Sequence, residues 1–191
     1  SSTELDSRRD DKWHSIGRST LSELVSASSE FCFAPLTVGG GISSLNDFAK
    51  LFESGADKCI VNSLLFNDAE LVKKSVQKYG SQAIVASLDV KMINTNLMVI
   101  TNKGKVNTTL NLSQAIKYVT DLGVGEIMIS SIDYDGSAQG YDPNIIKSLP
   151  NKINVPLIIN SGPGDSSHFS EALKTNRFQA VAASNIFYFT E

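Results

Sequence analysis

Residues 35–41 read PLTVGGG and residues 156–164 read PLIINSGPG. Each stretch is a short run apolar on both faces, broken by a glycine-rich turn and followed by a segment of helical period over residues 44–54 or 166–174. A run apolar on both sides is the pattern of a parallel strand buried beneath helices. The two stretches are in register with each other. Pro35 and Pro156, Leu36 and Leu157, Phe48 and Phe169, Ser63 and Ser184, and Phe66 and Phe187 are all separated by 121 residues (156 − 35 = 121). Each unit closes with another strand and a small polar ending, VNS at residues 61–63 and AAS at residues 182–184. Two structurally equivalent halves follow, each with a site at its strand ends.

The same rhythm extends between and around the repeats. Residues 34–38, 58–61, 83–88, 126–130, 156–159 and 180–183 read as strands. Residues 44–54, 68–79, 111–122, 144–149 and 166–174 read as helices, with Asn111, Asn144 and Ser166 or their neighbours as caps. This alternation predicts one α/β domain over residues 1–191, a (β/α)8 TIM-type barrel with an internal half-barrel repeat. Residues 91–109 interrupt it with a predicted β-hairpin, in which the strand 97–101 turns at 102–104. The hairpin follows a strand's C-terminal end, where barrel proteins place substrate-covering loops.

Composition narrows the function. With 191 residues, 41% of them hydrophobic, the chain can bury one sizeable core. A formal net charge of −3, from 17 basic and 20 acidic residues, offers no basic face to nucleic acid or an anionic membrane. No stretch has the length of a membrane span, and the first thirty residues lack the apolar core of a signal peptide. A cytoplasmic protein is expected. Cys32 and Cys59 stand singly in apolar settings and read as reduced, buried thiols. His14 and His168 have no partners at metal-ligand spacing, so no metal site is expected.

Gly39, Gly40 and Gly41 follow a strand and precede a helix. Such a turn lets backbone N–H groups approach an anion that a Cβ would obstruct, and it equally suits a tight connection that merely needs positive φ. Repetition favours the first reading. Ser161, Gly162, Pro163 and Gly164 recur at the matching place, and Ser63 and Ser184 end the following strands. Two such cradles point to a ligand with two phosphate groups. Asp89 ends the apolar strand AIVASL, which puts a carboxylate at the rim, where it can exchange protons with a substrate or simply pair with Lys91. Asp133 and Asp135 alternate and cannot share one site if extended.

The blocks TVGGGISSL, SGADKCIVNS, YGSQAIVASLDVK, LGVGEIMISSIDYDGSAQGYD and AASNIFYFTE occur in this order. Together they resemble the cyclase subunit of imidazole glycerol phosphate synthase, over roughly residues 33–191. The resemblance implies a (β/α)8 barrel that takes ammonia from a glutaminase partner docked on the face opposite the active site. It implies closure of the imidazole ring of a bis-phosphate ribonucleotide in histidine biosynthesis, giving imidazole glycerol phosphate and an aminoimidazole carboxamide ribotide, with no cofactor. Asp89 then matches a catalytic aspartate acting as general acid and base. Gly41, Asn62 and Ser63 match one phosphate site, to which the glycine reading adds Gly40. Asp135, Gly136, Gly162, Ala183 and Ser184 match the other, alongside Gly164, and Ser130 matches a substrate-contacting hydroxyl.

The pattern also departs from the family. About six of eight βα units are legible, the unit carrying the family's other catalytic aspartate has no counterpart, and residues 1–30 match weakly, through Leu5 and Asp6. The expectation is an incomplete barrel. The loop at Gly162 is one residue shorter than the family's, and Pro163 has no N–H to donate. Two further functions fit the same residues: a paralogue supplying ammonia to a sugar amidotransferase in surface-polysaccharide synthesis, and a non-catalytic remnant that keeps phosphate binding or partner docking.

Overall fold

The structure, a computed structural model, describes residues 20–188. The weak match at Leu5 and Asp6 lies outside the described residues. The first described element is helix α1 (Leu21–Ser29), which sequence periodicity did not disclose; Thr20 and Glu23 close a capping box at its start. The parallel strands β1 (Thr37–Gly39), β2 (Lys58–Val61), β3 (Ile84–Ile93), β6 (Glu126–Ser131), β7 (Leu157–Asn160) and β8 (Ala180–Val181) lie side by side in that order. Two more strands, β4 (Asn96–Thr101) and β5 (Val106–Asn111), extend the C-terminal half of β3 as an antiparallel meander. The result is an α/β fold with a parallel-strand half-barrel arrangement, consistent with a TIM-type barrel.

Helices α2 (Leu45–Glu53), α4 (Ala69–Tyr79), α5 (Leu112–Asp121), α6 (Pro143–Ser148) and α7 (Ser166–Lys174) connect the strands, and the single turns α3 (Leu64–Asn67) and α8 (Asn185–Tyr188) follow β2 and β8. The repeat survives folding residue for residue. Helices α2 and α7 are both nine residues long and begin 121 residues apart (166 − 45), and α3 and α8 keep the same offset (185 − 64). Their caps correspond too: Ser44 accepts from the Asp47 N–H, and Asp165 accepts from the Ser167 N–H. The cap of α7 is therefore Asp165 rather than Ser166, and that of α6 is Asp142 rather than Asn144, since Pro143 occupies the first helical position.

Strand β3 is the axis of the core. Ile84, Val85, Ala86, Ser87 and Leu88 are all buried, so both faces of the strand are covered. Val38, Cys59, Val61, Ile127, Ile129, Leu157 and Ile159 continue that layer across the sheet, and Phe48, Leu51, Val72, Ile116 and Val119 pack onto it from α2, α4 and α5. Strand β1 begins at Thr37 rather than at residue 34. Pro35 has no N–H, and the Leu36 N–H is taken by the Asp57 carboxylate at 2.7 Å, so ladder pairing starts one residue later.

The cysteine reading holds for one residue of the two. Cys59 is fully buried in β2, where burial pushes its thiol up to about 12. Cys32 is exposed. It lies between Phe31, 81% exposed, and Phe33, 99% exposed, on the connection from α1 to β1. An apolar triplet there marks an uncovered surface, not a core. Among the described residues, no helix is long and apolar enough to cross a membrane.

Candidate functional site

All six parallel strands deliver polar residues to one rim, the C-terminal one, because parallel strands share a direction. Following the sheet from β2, Asn62, Asp89, Ser130 and Asn160 come from successive strands and are joined pairwise; β3 does not end at Asp89 as the sequence suggests but continues to Ile93, pairing from Asp89 onward with β4. Asn62 Nδ2 donates to Asp89 Oδ2 at 3.0 Å, and Asn160 Nδ2 donates to Ser130 Oγ at 3.0 Å. Asp89 and Ser130 are register partners across β3 and β6. A single polar row thus crosses the middle of the sheet.

A cleft of about 790 Å³ opens at one end of this row. Its walls include Gly40, Gly41, Asn62, Ser63 and Asp89. Gly40 and Gly41 have φ of +117° and +69°, and a Cβ built on either would meet no heavy atom within 4 Å. Backbone conformation, not crowding, demands glycine there. Ser63 begins α3 without capping it, so its hydroxyl is left for other partners.

A smaller cavity of about 40 Å³ opens at the other end. Asp135, Gly136, Gly162, Ala183 and Ser184 all line it, together with Ser161 and Pro163. Here glycine answers to crowding. Gly162 has φ of +105°, and a Cβ on it would come within 2.2 Å of the Gly140 carbonyl oxygen. Gly164 lies outside the cavity wall; it is packed against Ala138, and its N–H donates to His168 Nδ1 at 3.2 Å.

Asp89 is held between opposing influences. Burial raises its carboxyl above the ordinary carboxylate value, the bond from Asn62 lowers it, and repulsion from Asp135 raises it. Asp135 follows β6 and lines the smaller cavity at the same strand ends. Pairing of Asp89 with Lys91, the structural alternative, does not occur: the Asp89 carboxylate accepts from Asn62. Asp133 turns away, accepting the Met92 N–H at 2.8 Å and stapling β3 to the loop after β6. That loop is a turn rather than an extended strand, so the alternation expected of an extended segment does not apply to Asp133 and Asp135.

Sequence reasoning missed several wall residues. Ser87 lies two positions before Asp89 on β3 and lines the larger cleft, so strand alternation alone points to it. Asn160 closes β7 and was read only as the end of an apolar run. Asn102 and Lys103, at the tip of the hairpin between β4 and β5, also line the larger cleft. Their arrival depends on how the meander curls over the rim.

At the opposite end of the strands, Lys58 on β2 and Glu126 on β6 form an ion pair. A cleft of about 380 Å³ lies at that end, lined by Asn151, Asn154, Arg177 and Gln179 among others.

An α/β chain with repeated halves, parallel strands and one polar rim defines the class of barrel proteins whose sites sit at the C-terminal strand ends. Within that class, residues 14–191 match the family described as Histidine biosynthesis protein, and the chain belongs to it. It is 39% identical over 173 residues to a Hydrogenobaculum protein named imidazole glycerol phosphate synthase subunit HisF, covering 90% of this chain and 69% of the relative. Proteins of the same name from Chlorobium limicola and Sulfurisphaera tokodaii are each 37% identical, over 91% and 90% of this chain and 69% and 68% of theirs.

Proposed function

We propose that this chain is a cyclase subunit of the imidazole glycerol phosphate synthase type, acting in histidine biosynthesis on a bis-phosphate ribonucleotide with ammonia from a glutaminase partner. The observation that carries the reading is the division of the rim. Asp89, where β3 begins to pair with β4, and its register partner Ser130 near the end of β6 are flanked on one side by Gly40, Gly41, Asn62 and Ser63 and on the other by Asp135, Gly136, Gly162, Ala183 and Ser184. A ligand carrying a phosphate at each end lays its middle over Asp89. Gly164 supports the second cradle from behind rather than touching the ligand.

Asp89 is suited to proton transfer because its raised carboxyl takes up a proton more readily than an exposed aspartate does. It accepts a proton from the attacking ammonia nitrogen and returns one to the departing group as the imidazole ring closes, so no net proton is stored on the chain. Ser130 orients the substrate from the next strand end. The glutaminase subunit docks at the opposite strand ends, where the Lys58–Glu126 pair and the polar cleft beside Arg177 offer hydrogen-bonding groups. The setting is cytoplasmic, and no cofactor takes part.

Calorimetric titration of the chain with the bis-phosphate ribonucleotide, followed by ammonia-dependent turnover on the same sample, tests this reading. Binding is expected. Turnover on the same sample would show that the residues present suffice without the family's other catalytic aspartate, binding without turnover would mark an incomplete cyclase, and an absence of binding would remove the bis-phosphate reading altogether.

A further inference from the structure

Among the described residues lining the larger cleft, Asp68 and Asp89 are acidic and Lys103 alone is basic. Enclosing a phosphate dianion between two carboxylates is costly without a cation to offset it. Among the described residues, Lys103 forms no ion pair with a carboxylate.

The tip that carries Lys103 is fastened to the cradle. The Asn102 N–H donates to Ser63 Oγ at 3.2 Å, across 39 residues of chain. A hydroxyl has one proton to give and two lone pairs to receive. In the structure the Ser63 proton is directed at Asn62 Oδ1 at a long 3.5 Å, so Ser63 can keep accepting from Asn102 while that weakly held proton turns to an anion. Asn102 and Lys103 both hold left-handed backbone conformations, with φ of +53° and +57°. Lysine is unusual there.

Resting on the phosphate reading of this cleft, we propose that the hairpin tip is part of the phosphate site. Lys103 supplies the counter-charge that selects a dianionic phosphate monoester, and the Asn102–Ser63 bond clips that charge over the cradle. Among the described residues lining the smaller cavity there is Asp135 and no lysine or arginine. The two ends of the ligand are accordingly held differently, one by charge and one by backbone and hydroxyl groups.

The test is a titration of the full chain with inorganic phosphate, read through the amide resonances of Gly40, Gly41 and Ser63. Lys103→Asn removes the charge with a residue that tolerates the left-handed turn, and Lys103→Arg restores it. The wild-type amides are expected to titrate with an affinity that falls as salt rises. Lys103→Asn is expected to weaken that affinity about tenfold or more and to flatten the salt dependence, with Lys103→Arg close to wild type. If Gly40 and Gly41 respond in Lys103→Asn with unchanged affinity, the counter-charge role is overturned while the cradle stands. If they do not respond in the wild type, the phosphate reading of the cleft falls and the role of Lys103 falls with it.

Discussion

Asn62 Nδ2 lies 3.0 Å from Asp89 Oδ2, and this bond is the one contact at the rim that favours the charged form of the carboxylate. Burial and the neighbouring Asp135 act the other way. Asn62 therefore sets how far the proton affinity of Asp89 rises. In Asn62→Ala the restraining bond is gone, and the Asp89 carboxyl is expected to titrate at a higher pH than in the wild type. Carboxyl resonances of Asp89 report the shift directly, and the acid limb of the turnover profile should move to higher pH with it. An unmoved limb would mean that Asp89 is not the group whose ionisation that limb follows.

The same raised carboxyl makes a stability prediction of definite sign. Because the folded chain holds the Asp89 proton more tightly than the unfolded chain, stability falls as pH rises from the ordinary carboxylate value through the raised one. Above that window the full penalty of a charged, half-buried Asp89 is present; below it, none is. Asp89→Asn keeps an oxygen for Asn62 and removes the charge. The variant is expected to be more stable than wild type at neutral pH, with the gain vanishing in acid, while ammonia-dependent turnover falls by about a hundredfold to ten-thousandfold. Urea midpoints measured across pH, beside turnover, check both halves. A midpoint difference independent of pH would contradict the assignment.

Much of this architecture is legible in the chain because its signals are local. The offset of 121 residues carries strand, turn, cap and helix together, so the correspondence of α2 with α7 follows from matching letters. Asp89 is readable as a site residue because it ends an apolar run, although the strand itself continues to Ile93. The contacts that complete the site are of another kind. The Asn62–Asp89 and Asn160–Ser130 bonds depend on inter-strand register, and the docking of Asn102 on Ser63 depends on the curl of a meander pinned at β3. No short-range pattern encodes either. Cys32 fails for the complementary reason: an apolar triplet signals burial only if an element covers it, and coverage is a property of the whole fold.

The repeat also has unequal halves, which mutation can expose. Phe48 on α2 is completely buried and stacks near Tyr79, their centroids 6.4 Å apart, whereas its counterpart Phe169 on α7 is only partly buried beside Tyr141. Truncation of a fully buried phenylalanine costs about 3–5 kcal/mol, so Phe48→Ala is expected to lie in that range and Phe169→Ala at roughly half of it. Chemical denaturation of the two variants gives the comparison. Equal losses would show that burial on α7 is greater than its exposure indicates.

The two glycine turns separate in the same manner. At Gly41 an alanine must adopt a left-handed conformation but meets open space, for a cost of about 1 kcal/mol. At Gly162 the methyl group must also displace the Gly140 carbonyl, which lies 2.2 Å from its ideal position and itself belongs to the paired segment in which the Gly140 N–H donates to the Gly162 carbonyl at 2.9 Å. Overpacking and backbone strain together put Gly162→Ala at about 2–4 kcal/mol. The order reverses for ligand binding through the larger cleft: Gly41→Ala places its methyl group in the space a phosphate would occupy and is expected to weaken that site, whereas Gly162→Ala leaves it unchanged in any fraction that remains folded. Urea denaturation paired with the Gly40 amide titration measures both orders, and a Gly41→Ala variant that binds phosphate as the wild type does would show that the ligand does not approach this turn.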